Sequence, residues 1–387
     1  MIKKVKSNYW LAELLIPIYV IISQYTFKNG GISIGFYCLL ALTIFYLIRN
    51  REISLFLPLI LLISYMFLND VLKSVSVMLN FALWFQYIII FIFLLLIKGK
   101  LNEDNLYKIW KYVGVFAMVG LFYQSYQVFV QGIDVGIIKV LPFSSSAETF
   151  SMLYNRPHSI FLEPALYSTW ILPLLYMSLK RKKYLFSFII TVSIFLTTST
   201  IGLIMGLILW IYYLALDHDI KFKYKMMISV ELVVLVLLLF YSPIFSATIN
   251  KLSNEDIGNS VRTASGWKIY YQLSGSEKTI GILSNDLRDY LLRNIDLGLI
   301  GLNASASFLG FVNSLSYAAI KYGVIGLILY IYLFYSIWKN GKKDLWPYLL
   351  LCFLSTFGQS VFFNSIFVMQ FSILLGTNRF CLKNKER

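Results

Sequence analysis

Three ionisable residues at the mouth of an apolar segment offer the clearest chemistry in the chain. Arg156, His158 and Glu163 lie in the sequence Asn-Arg-Pro-His-Ser-Ile-Phe-Leu-Glu-Pro, which runs into an apolar stretch. An ionised side chain at membrane depth is costly unless a partner or a substrate offsets its desolvation. The segment therefore predicts a functional site at the edge of a lipid bilayer.

The spacing of the two charged residues indicates how a helix would arrange them. The step from Arg156 to Glu163 is close to two helical turns, about 10 Å of rise, so a helix would place both side chains on one face. Pro157 suits a first helical turn, and Pro164 frees the carbonyl of Ile160 for another partner.

The histidines and cysteines do not indicate a metal site. His158 is either a proton carrier or a simple interface residue, and the second histidine, His218, lies in a predicted cytoplasmic loop. The three cysteines lie in or beside apolar segments without metal-ligand spacing, at Cys38, Cys352 and Cys381. We predict no metal ion and no cofactor.

The composition is that of an integral membrane protein. Apolar residues make up 58% of the 387 residues. Apolar runs recur throughout the chain, and they reach the length of roughly 20 residues that a spanning helix needs. The first run, residues 9–27, lacks the small-residue end of a cleaved signal peptide, so we interpret it as a retained helix. We predict an all-α fold built from transmembrane helices.

The net charge of +15 is explained by membrane topology rather than by nucleic acid binding. Most of the 34 Lys and Arg cluster in short stretches between apolar runs, which marks the cytoplasmic side. These stretches are residues 3–6, 49–51, 98–111, 180–183, 221–225, 339–343 and 379–387. No nucleic-acid partner is expected.

With these markers, the chain crosses a bacterial cytoplasmic membrane about 12 times as a single domain, residues 1–387. Both termini lie in the cytoplasm, and the largest polar region, 245–318, lies outside together with a loop at 132–155. The predicted spans are residues 9–27, 31–48, 53–69, 75–97, 109–131, 158–179, two short helices within 184–216, then 226–244, 319–338, 345–360 and 361–380.

Residues 184–216 require a special arrangement because basic clusters flank both ends. The stretch must cross twice, as two short helices broken at Thr197-Thr198-Ser199-Thr200. Non-helical backbone at that depth is tolerated only against protein or a watery cavity. The alternative is a single long tilted helix, which would leave one basic cluster outside.

Seven basic residues lie within 245–321, on the predicted outer side: Lys251, Arg262, Lys268, Lys278, Arg288, Arg293 and Lys321. The planar fork of arginine matches phosphate oxygens, so this group suits a phosphate-bearing ligand at the lipid surface. Alternatively, these residues pair with nearby Asp and Glu on a solvated surface. The sequence around Trp267 predicts an aromatic-lined amphipathic helix that either rests in the interface or stacks on sugar rings.

Two segments near the middle of the chain resemble the Wzy-type O-antigen and capsule polysaccharide polymerases. Residues 156–164, Arg-Pro-His-Ser-Ile-Phe-Leu-Glu-Pro, are similar to their Arg-x-x-Ser/Gly-x-Phe-x-Glu-Pro segment. Residues 196–202, Leu-Thr-Thr-Ser-Thr-Ile-Gly, resemble their Thr-x-Ser-Arg-x-Gly element, with Thr200 where Arg is common.

Two further segments of the second half extend the resemblance. Residues 262–267, from Arg262 to Trp267, resemble the arginine-bearing large loop of the family. Residues 313–315, Asn-Ser-Leu, followed by 322–327, Tyr-Gly-Val-Ile-Gly-Leu, resemble the family's His-Asn-Ser…Gly-Ile-Ile-Gly-Leu element. Val312 occupies the place of that His.

The resemblance implies transfer of a growing glycan from undecaprenyl diphosphate to the sugar of a second lipid-linked repeat unit, at the outer face of the membrane. The partners would be the lipid-linked donor and acceptor and membrane lipid; a chain-length regulator is a further partner expected from the family alone. Arg156 and Arg262 would stabilise the departing diphosphate. Glu163 would be the general base, with His158 as the second candidate, or Glu163 would only hold Arg156 in place. The expected substrate-binding residues are Ser199, Trp267, Lys268, Arg288, Arg293, Asn313 and Lys321.

Two other functions stay open. An O-antigen ligase would transfer finished polymer to lipid A core; the family's ligases depend on the His that Val312 replaces. A flippase or other transporter would also have about 12 spans, but it would more often show internal repeats and short outer loops. The long 245–318 region argues against a transporter.

Overall fold

A computed structural model describes residues 8–27, 31–49, 53–72, 81–145, 156–216, 264–282 and 312–378, together with scattered positions within 223–241 and 290–295. In this part of the chain the predicted all-α class is confirmed, and the strands are limited to a short antiparallel pair, β1 (Tyr25–Thr26) and β2 (Ser144–Ser145). The helices are α1 (Trp10–Ile22), α2 (Ile34–Arg49), α3 (Leu57–Leu72), α4 (Phe81–Ile97), α5 (Glu103–Phe129), α6 (Pro164–Lys180), α7 (Tyr184–Leu196), α8 (Thr200–Leu216), α9 (Ser265–Gln272), α10 (Gly275–Ile280), α11 (Ser314–Asn340), α12 (Trp346–Gly358) and α13 (Ser365–Gly376).

Internal contacts divide the chain into two compact units. The first unit comprises residues 1–12, 38–101 and 256–387, and the second comprises residues 13–37 and 102–255. The assignment of residues 1–387 to one integral membrane domain stays a prediction.

The second unit packs around α6. This helix is buried on nearly every side and contacts α5, α7 and α8. Trp170 lies in its middle, with its ring 6.0 Å from that of Trp110 and its indole N–H donating to the carbonyl of Pro17 at 2.6 Å. A helix that is apolar all round belongs in a core or within a membrane, and α6 fits that pattern.

The first unit packs around α11, which contacts α3, α9, α10 and α12. The helix is interrupted at Gly323, whose φ of 68° and ψ of −173° are not helical. The helix α10, which packs against α11, is followed by Gly281, which also has a positive φ of 84°. A side chain on Gly281 would lie 2.3 Å from the carbonyl oxygen of Lys321, so the two backbones meet where only glycine fits.

Described helices occupy most of the predicted spans, and the described positions of 226–244 are also helical. Among the described residues, α11 is the one helix long and apolar enough to cross a membrane by itself; the other apolar helices have 10–17 residues. A hydrocarbon core about 30 Å thick needs roughly 20 helical residues. The number of crossings therefore stays a prediction.

The predicted break within 184–216 is confirmed. Helix α7 ends at Leu196, α8 begins at Thr200, and Thr198 between them has a positive φ of 52°. The hydroxyl of Thr197 donates to the carbonyl of Ile194 at 2.6 Å and accepts from the N–H of Ser199 at 3.3 Å. Such local side-chain bonds compete with the helical pattern and end the helix.

Gly202 allows α8 to approach α6 closely. A methyl group at this position would lie 2.4 Å from Cβ of Ser168. We predict that Gly202→Ala lowers the free energy of unfolding by about 1–3 kcal/mol, the usual cost of overpacking. Thermal unfolding of the purified protein in lipid nanodiscs would measure this.

Gly206→Ala is the matched control, one turn further along the same helix. Its methyl group would meet its nearest neighbour at 3.9 Å, an ordinary contact. The greater helix propensity of alanine should then stabilise the protein by up to about 1 kcal/mol. Equal changes in the two variants would contradict the close packing of α8 on α6.

Candidate functional site

The segment that carries Arg156 and Glu163 is not helical, so the condition for a shared helix face is not met. Helix α6 begins at Pro164 rather than near residue 158, and Glu163 is its N-cap residue with φ −141° and ψ 148°. The physical reason is that each charged residue precedes a proline. A residue before proline is disfavoured in the helical conformation and adopts an extended one.

Gln124, on α5, holds the first part of this segment. Its side-chain oxygen accepts hydrogen bonds from the backbone N–H groups of His158 at 2.9 Å and Ser159 at 2.5 Å. Its amide nitrogen donates to the carbonyls of Gly136 at 2.8 Å and Ser159 at 3.2 Å. One buried amide thus satisfies four backbone groups, which allows Ser159 to keep a positive φ of 58°.

Gln24 holds the second part in the same way. Its oxygen accepts from the N–H of Leu162 at 2.7 Å, and its amide nitrogen donates to Ile21 at 3.2 Å and reaches the carbonyl of Ile160 at 3.5 Å. The carbonyl that Pro164 frees has therefore found another partner, as predicted. Two glutamines from separate parts of the second unit fix the backbone that leads into α6.

Arg156 binds the break between α7 and α8. Its Nε donates to the hydroxyl of Thr198 at 2.6 Å, and its Nη2 donates to the carbonyls of Thr198 at 2.5 Å and Thr197 at 3.4 Å. The last carbonyls of a helix carry partial negative charge, so the guanidinium neutralises the end of α7. The structure thus brings Arg156 together with the Thr197–Ser199 element, a contact that the sequence analysis did not predict.

The amino end of α8 lies at the same break, since the helix begins at Thr200. The first N–H groups of a helix have no partner within the helix and carry partial positive charge, which favours an anion. Ser199, just before α8, is buried, and its carbonyl accepts the N–H of Leu203 at 2.9 Å. An arginine and the amino end of a 17-residue helix therefore lie at one place.

His158 is buried, and its Nδ1 lies 2.9 Å from the carbonyl oxygen of Arg156. Burial lowers the pKa of the imidazole, and the nearby positive charge of Arg156 acts in the same direction, against the opposing effects of the Arg156 carbonyl and Glu163. A neutral imidazole that donates from Nδ1 explains this geometry. The arrangement makes His158 a structural contact of the segment more than an exposed proton carrier.

Glu163 remains partly accessible. It caps α6 through its backbone carbonyl, which accepts the N–H groups of Leu166 and Tyr167, while its side chain makes no capping bond. Of the two proton-transfer candidates, Glu163 is the one whose side chain reaches solvent.

In the first unit, two predicted substrate-binding residues have structural partners. Asn313 is buried and caps α11, because its side-chain oxygen accepts the N–H of Ser316 at 2.9 Å. Lys321 is buried beside Asp70, with Nζ 3.9 Å from Oδ1. Val312, which stands in place of the family's His, belongs to a buried apolar cluster that includes Ile269 of α9 and Ile320 of α11.

Three other predicted residues lie where a ligand can reach them. Trp267 and Lys268 are half-buried on α9, which confirms the predicted helix there, and the Trp267 ring meets that of Tyr270 edge-on at 6.1 Å. Arg293 is exposed. Arg262 and Arg288 lie outside the described residues, and their roles stay predictions.

Within the described ranges, no cluster of three or more His, Cys, Asp or Glu residues is arranged to hold a metal ion. The important residues that sequence reasoning missed are Gln24, Gln124, Asn69 and Asp70. All four are polar side chains inside or at the end of apolar helical segments. A polar residue in such a position is costly without a partner, and this could have identified them from the sequence.

Gln124→Leu should destabilise the second unit strongly. The substitution removes all four bonds described above. The carbonyl of Ser159 keeps the N–H of Ile138 at 3.0 Å, whereas each of the other groups that stays buried costs about 1–3 kcal/mol. We expect a large fall in melting temperature together with faster hydrogen exchange of residues 158–159.

Gln127→Leu provides the control on the same helix, since its amide bonds only the exposed hydroxyl of Tyr123 among the described contacts. It should leave the melting temperature nearly unchanged. Comparable losses in both variants would show that Gln124 does not hold the segment.

The lowered pKa of His158 predicts a pH-dependent stability. In the unfolded chain the imidazole titrates near its ordinary pKa of about 6.5, so the unfolded state binds the proton more strongly than the folded state. The stability from the neutral imidazole is complete above this value and is lost as the pH falls toward the lower folded pKa.

His158→Asn keeps a donor for the Arg156 carbonyl but cannot be protonated. Its melting temperature should therefore fall less than that of the original protein between about pH 7 and pH 5. Identical pH profiles would show that the imidazole does not titrate differently on folding.

Comparison with known proteins assigns no family. No protein-family model matches the chain, and no curated protein is significantly similar to it in sequence. The resemblance to the Wzy-type polymerases rests on the four segments quoted above. The function is therefore proposed from those segments and from the geometry of the two units.

Proposed function

We propose that the chain spans a bacterial cytoplasmic membrane and polymerises lipid-linked repeat units of a polysaccharide at its outer face. In this reaction the growing glycan leaves undecaprenyl diphosphate and joins a hydroxyl of the sugar on a second lipid-linked unit. The observation that carries the proposal is the meeting of Arg156 with the break between α7 and α8.

An apolar outer surface supports the membrane part of the proposal. On α5, the side chains of Tyr112, Phe116, Val119, Tyr123 and Tyr126 are exposed and recur at spacings of three and four residues. They form one face of the helix. Exposed apolar surface of this extent marks a protein partner or a lipid environment.

The contacts at helix ends agree with the proposed alternation of sides. In the first unit, predicted cytoplasmic ends meet, as Gly99 N–H donates to Leu375 at 2.9 Å and Lys98 to Leu55 at 2.5 Å. In the second unit, Glu103 at the start of α5 pairs with Lys180 and Arg181 at the end of α6, at 2.9 and 3.2 Å. Each of these contacts joins ends assigned to the same side.

The break supplies what a departing diphosphate requires. When the bond between the anomeric carbon and the phosphate oxygen is cleaved, negative charge grows on the diphosphate, and fixed positive charge stabilises it. Arg156 and the start of α8 supply such charge in the second unit. Arg262, in the predicted outer loop, is the proposed second cation.

The acceptor hydroxyl forms the new glycosidic bond and gives up its proton. We assign the proton to Glu163, since its side chain is partly accessible while His158 is buried against the Arg156 carbonyl. The alternative role for Glu163 is to hold Arg156 in place. Trp267, Lys268 and Arg293 are the proposed contacts to sugar and phosphate in the first unit, with Ser199 at the break.

A ligase is the closer alternative and a transporter the more distant one. The buried apolar setting of Val312 offers no imidazole of the kind the family's ligases use. A gene deletion separates polymerase from flippase. Loss of a polymerase should leave single lipid-linked repeats on the outer side, whereas loss of a flippase should leave them inside.

Arg156→Lys should reduce polymer formation by about 10–100-fold, because a point charge cannot replace the donors that hold both Thr198 and a phosphate. Cells should then accumulate single lipid-linked repeats and make little long polymer, as measured by gel analysis of surface glycan. Arg262→Ala, still inserted in the membrane, should give the same result.

Arg49→Lys is a suitable control, since Arg49 is exposed at a predicted cytoplasmic end. It should leave polymer length unchanged. Full activity of Arg156→Lys would reduce its role to simple attraction, and normal polymer in Arg262→Ala would remove that residue from the mechanism.

A further inference from the structure

The first unit contains a buried charge pair that the proposed chemistry does not use. Asp70, near the end of α3, and Lys321, on α11, lie with their side chains 11% and 10% exposed. Their charged atoms are 3.9 Å apart, a loose pair rather than a tight one. A buried ion pair gives little net stability compared with apolar residues, so its presence needs another explanation.

The interruption of α11 at Gly323 positions this pair. The carbonyl of Ile320 accepts the N–H of Ile282 at 3.0 Å, and the carbonyl of Tyr322 accepts the hydroxyl of Tyr65 at 2.9 Å. These bonds satisfy backbone groups released by the break. Lys321 is thereby fixed between two bonded carbonyls, with its side chain toward α3.

Asn69 adds an acceptor beside the pair. Its amide nitrogen donates to the carbonyl of Ile280 at 2.6 Å and to Tyr65 at 3.3 Å, which orients the side chain. Its oxygen, in a residue only 5% exposed, has no hydrogen-bond partner. A buried acceptor of this kind is costly unless a ligand or water donates to it.

Three tyrosines lie near the carboxylate of Asp70. Tyr87, Tyr317 and Tyr322 all lie within electrostatic range of Asp70. Tyr322 and Tyr87 are buried, while Tyr317 keeps part of its surface exposed. The cluster therefore combines acceptors, a cationic donor and aromatic rings.

We propose that Asp70, Asn69 and Lys321 form a saccharide-binding site, in which sugar hydroxyls donate to Asp70 and to the Asn69 oxygen and accept from Lys321. Adjacent hydroxyls of a sugar both donate and accept, and they match this mixed set, whereas a phosphate would be repelled by Asp70. Resting on the proposed function, the occupant is the sugar of the acceptor repeat unit.

The test uses the full-length protein in lipid nanodiscs, with free hexoses and N-acetylhexosamines as probes in saturation-transfer NMR. The original protein should transfer saturation to at least one of these sugars. Asp70→Asn should reduce the transfer about tenfold, because it removes a charged hydrogen-bond acceptor. Asp134→Asn, which alters an exposed carboxylate of the second unit, should leave it unchanged.

A charge exchange separates binding from a purely structural ion pair. Asp70→Lys combined with Lys321→Asp restores opposite charges and should recover melting temperature relative to Asp70→Asn. Saturation transfer should stay low, because the acceptor and the donor no longer stand in their original positions beside the Asn69 oxygen. Recovery of saturation transfer in the exchanged variant would overturn the proposal. So would the absence of saturation transfer to every sugar tested with the original protein. If the exchanged protein does not fold, Lys321→Gln removes the charged donor of the proposed site, and an unchanged signal in that variant would overturn the proposal as well.

Failure of the proposed saccharide site and failure of the proposed polymerase function give different results. If the protein binds sugars through Asp70 but deletion of its gene leaves surface polymer unaltered, the saccharide site is supported and the polymerase function is not. If the Asp70→Asn variant polymerises normally, the polymerase function is supported and the saccharide site is contradicted.

Discussion

Irregular backbone inside an apolar helical bundle must find hydrogen-bond partners other than water. Each unit of this protein contains such a place: the segment 156–163 with the break before α8 in the second unit, and the interruption of α11 at Gly323 in the first. A buried peptide group left without a partner there costs free energy comparable to a lost hydrogen bond. Side chains that supply those bonds determine the local structure.

Buried amides and hydroxyls supply these bonds. Gln124 and Gln24 bond both donors and acceptors of the segment before α6, and Arg156 bonds the carbonyls that end α7. Asn69 and Tyr65 do the same for α10 and α11. Some residues of the segments that resemble the family thus have a structural role. Asn313, for example, caps the amino end of α11.

The sequence predicts those features that depend on local chemistry. The break at Thr197–Ser199 follows from basic clusters on both sides, the helix at Trp267 from its apolar spacing, and the free carbonyl of Ile160 from Pro164. Features that depend on distant partners were not predictable. Gln124 lies 34 residues from His158, and Asp70 is far from Lys321 along the chain, so no local pattern connects them. The predicted span began at residue 158, whereas α6 begins at Pro164; the two prolines, each of which disfavours a helical conformation of the residue before it, were a local signal for this later start.

The two interrupted places differ in charge, and this difference argues for different ligands. At the break before α8, Arg156 and the helix start both contribute positive charge, and the bonded groups there are carbonyls and hydroxyls. At the interruption of α11, Lys321 is offset by Asp70, and the neighbouring groups are an amide and phenols. A diphosphate gains from the first setting and is repelled by the carboxylate of the second, whereas a neutral sugar can bond both members of the second. In the proposed reaction the donor carries the diphosphate, while the acceptor must present a neutral hydroxyl. The charge of each setting therefore suits one of the two substrates, and neither setting suits both.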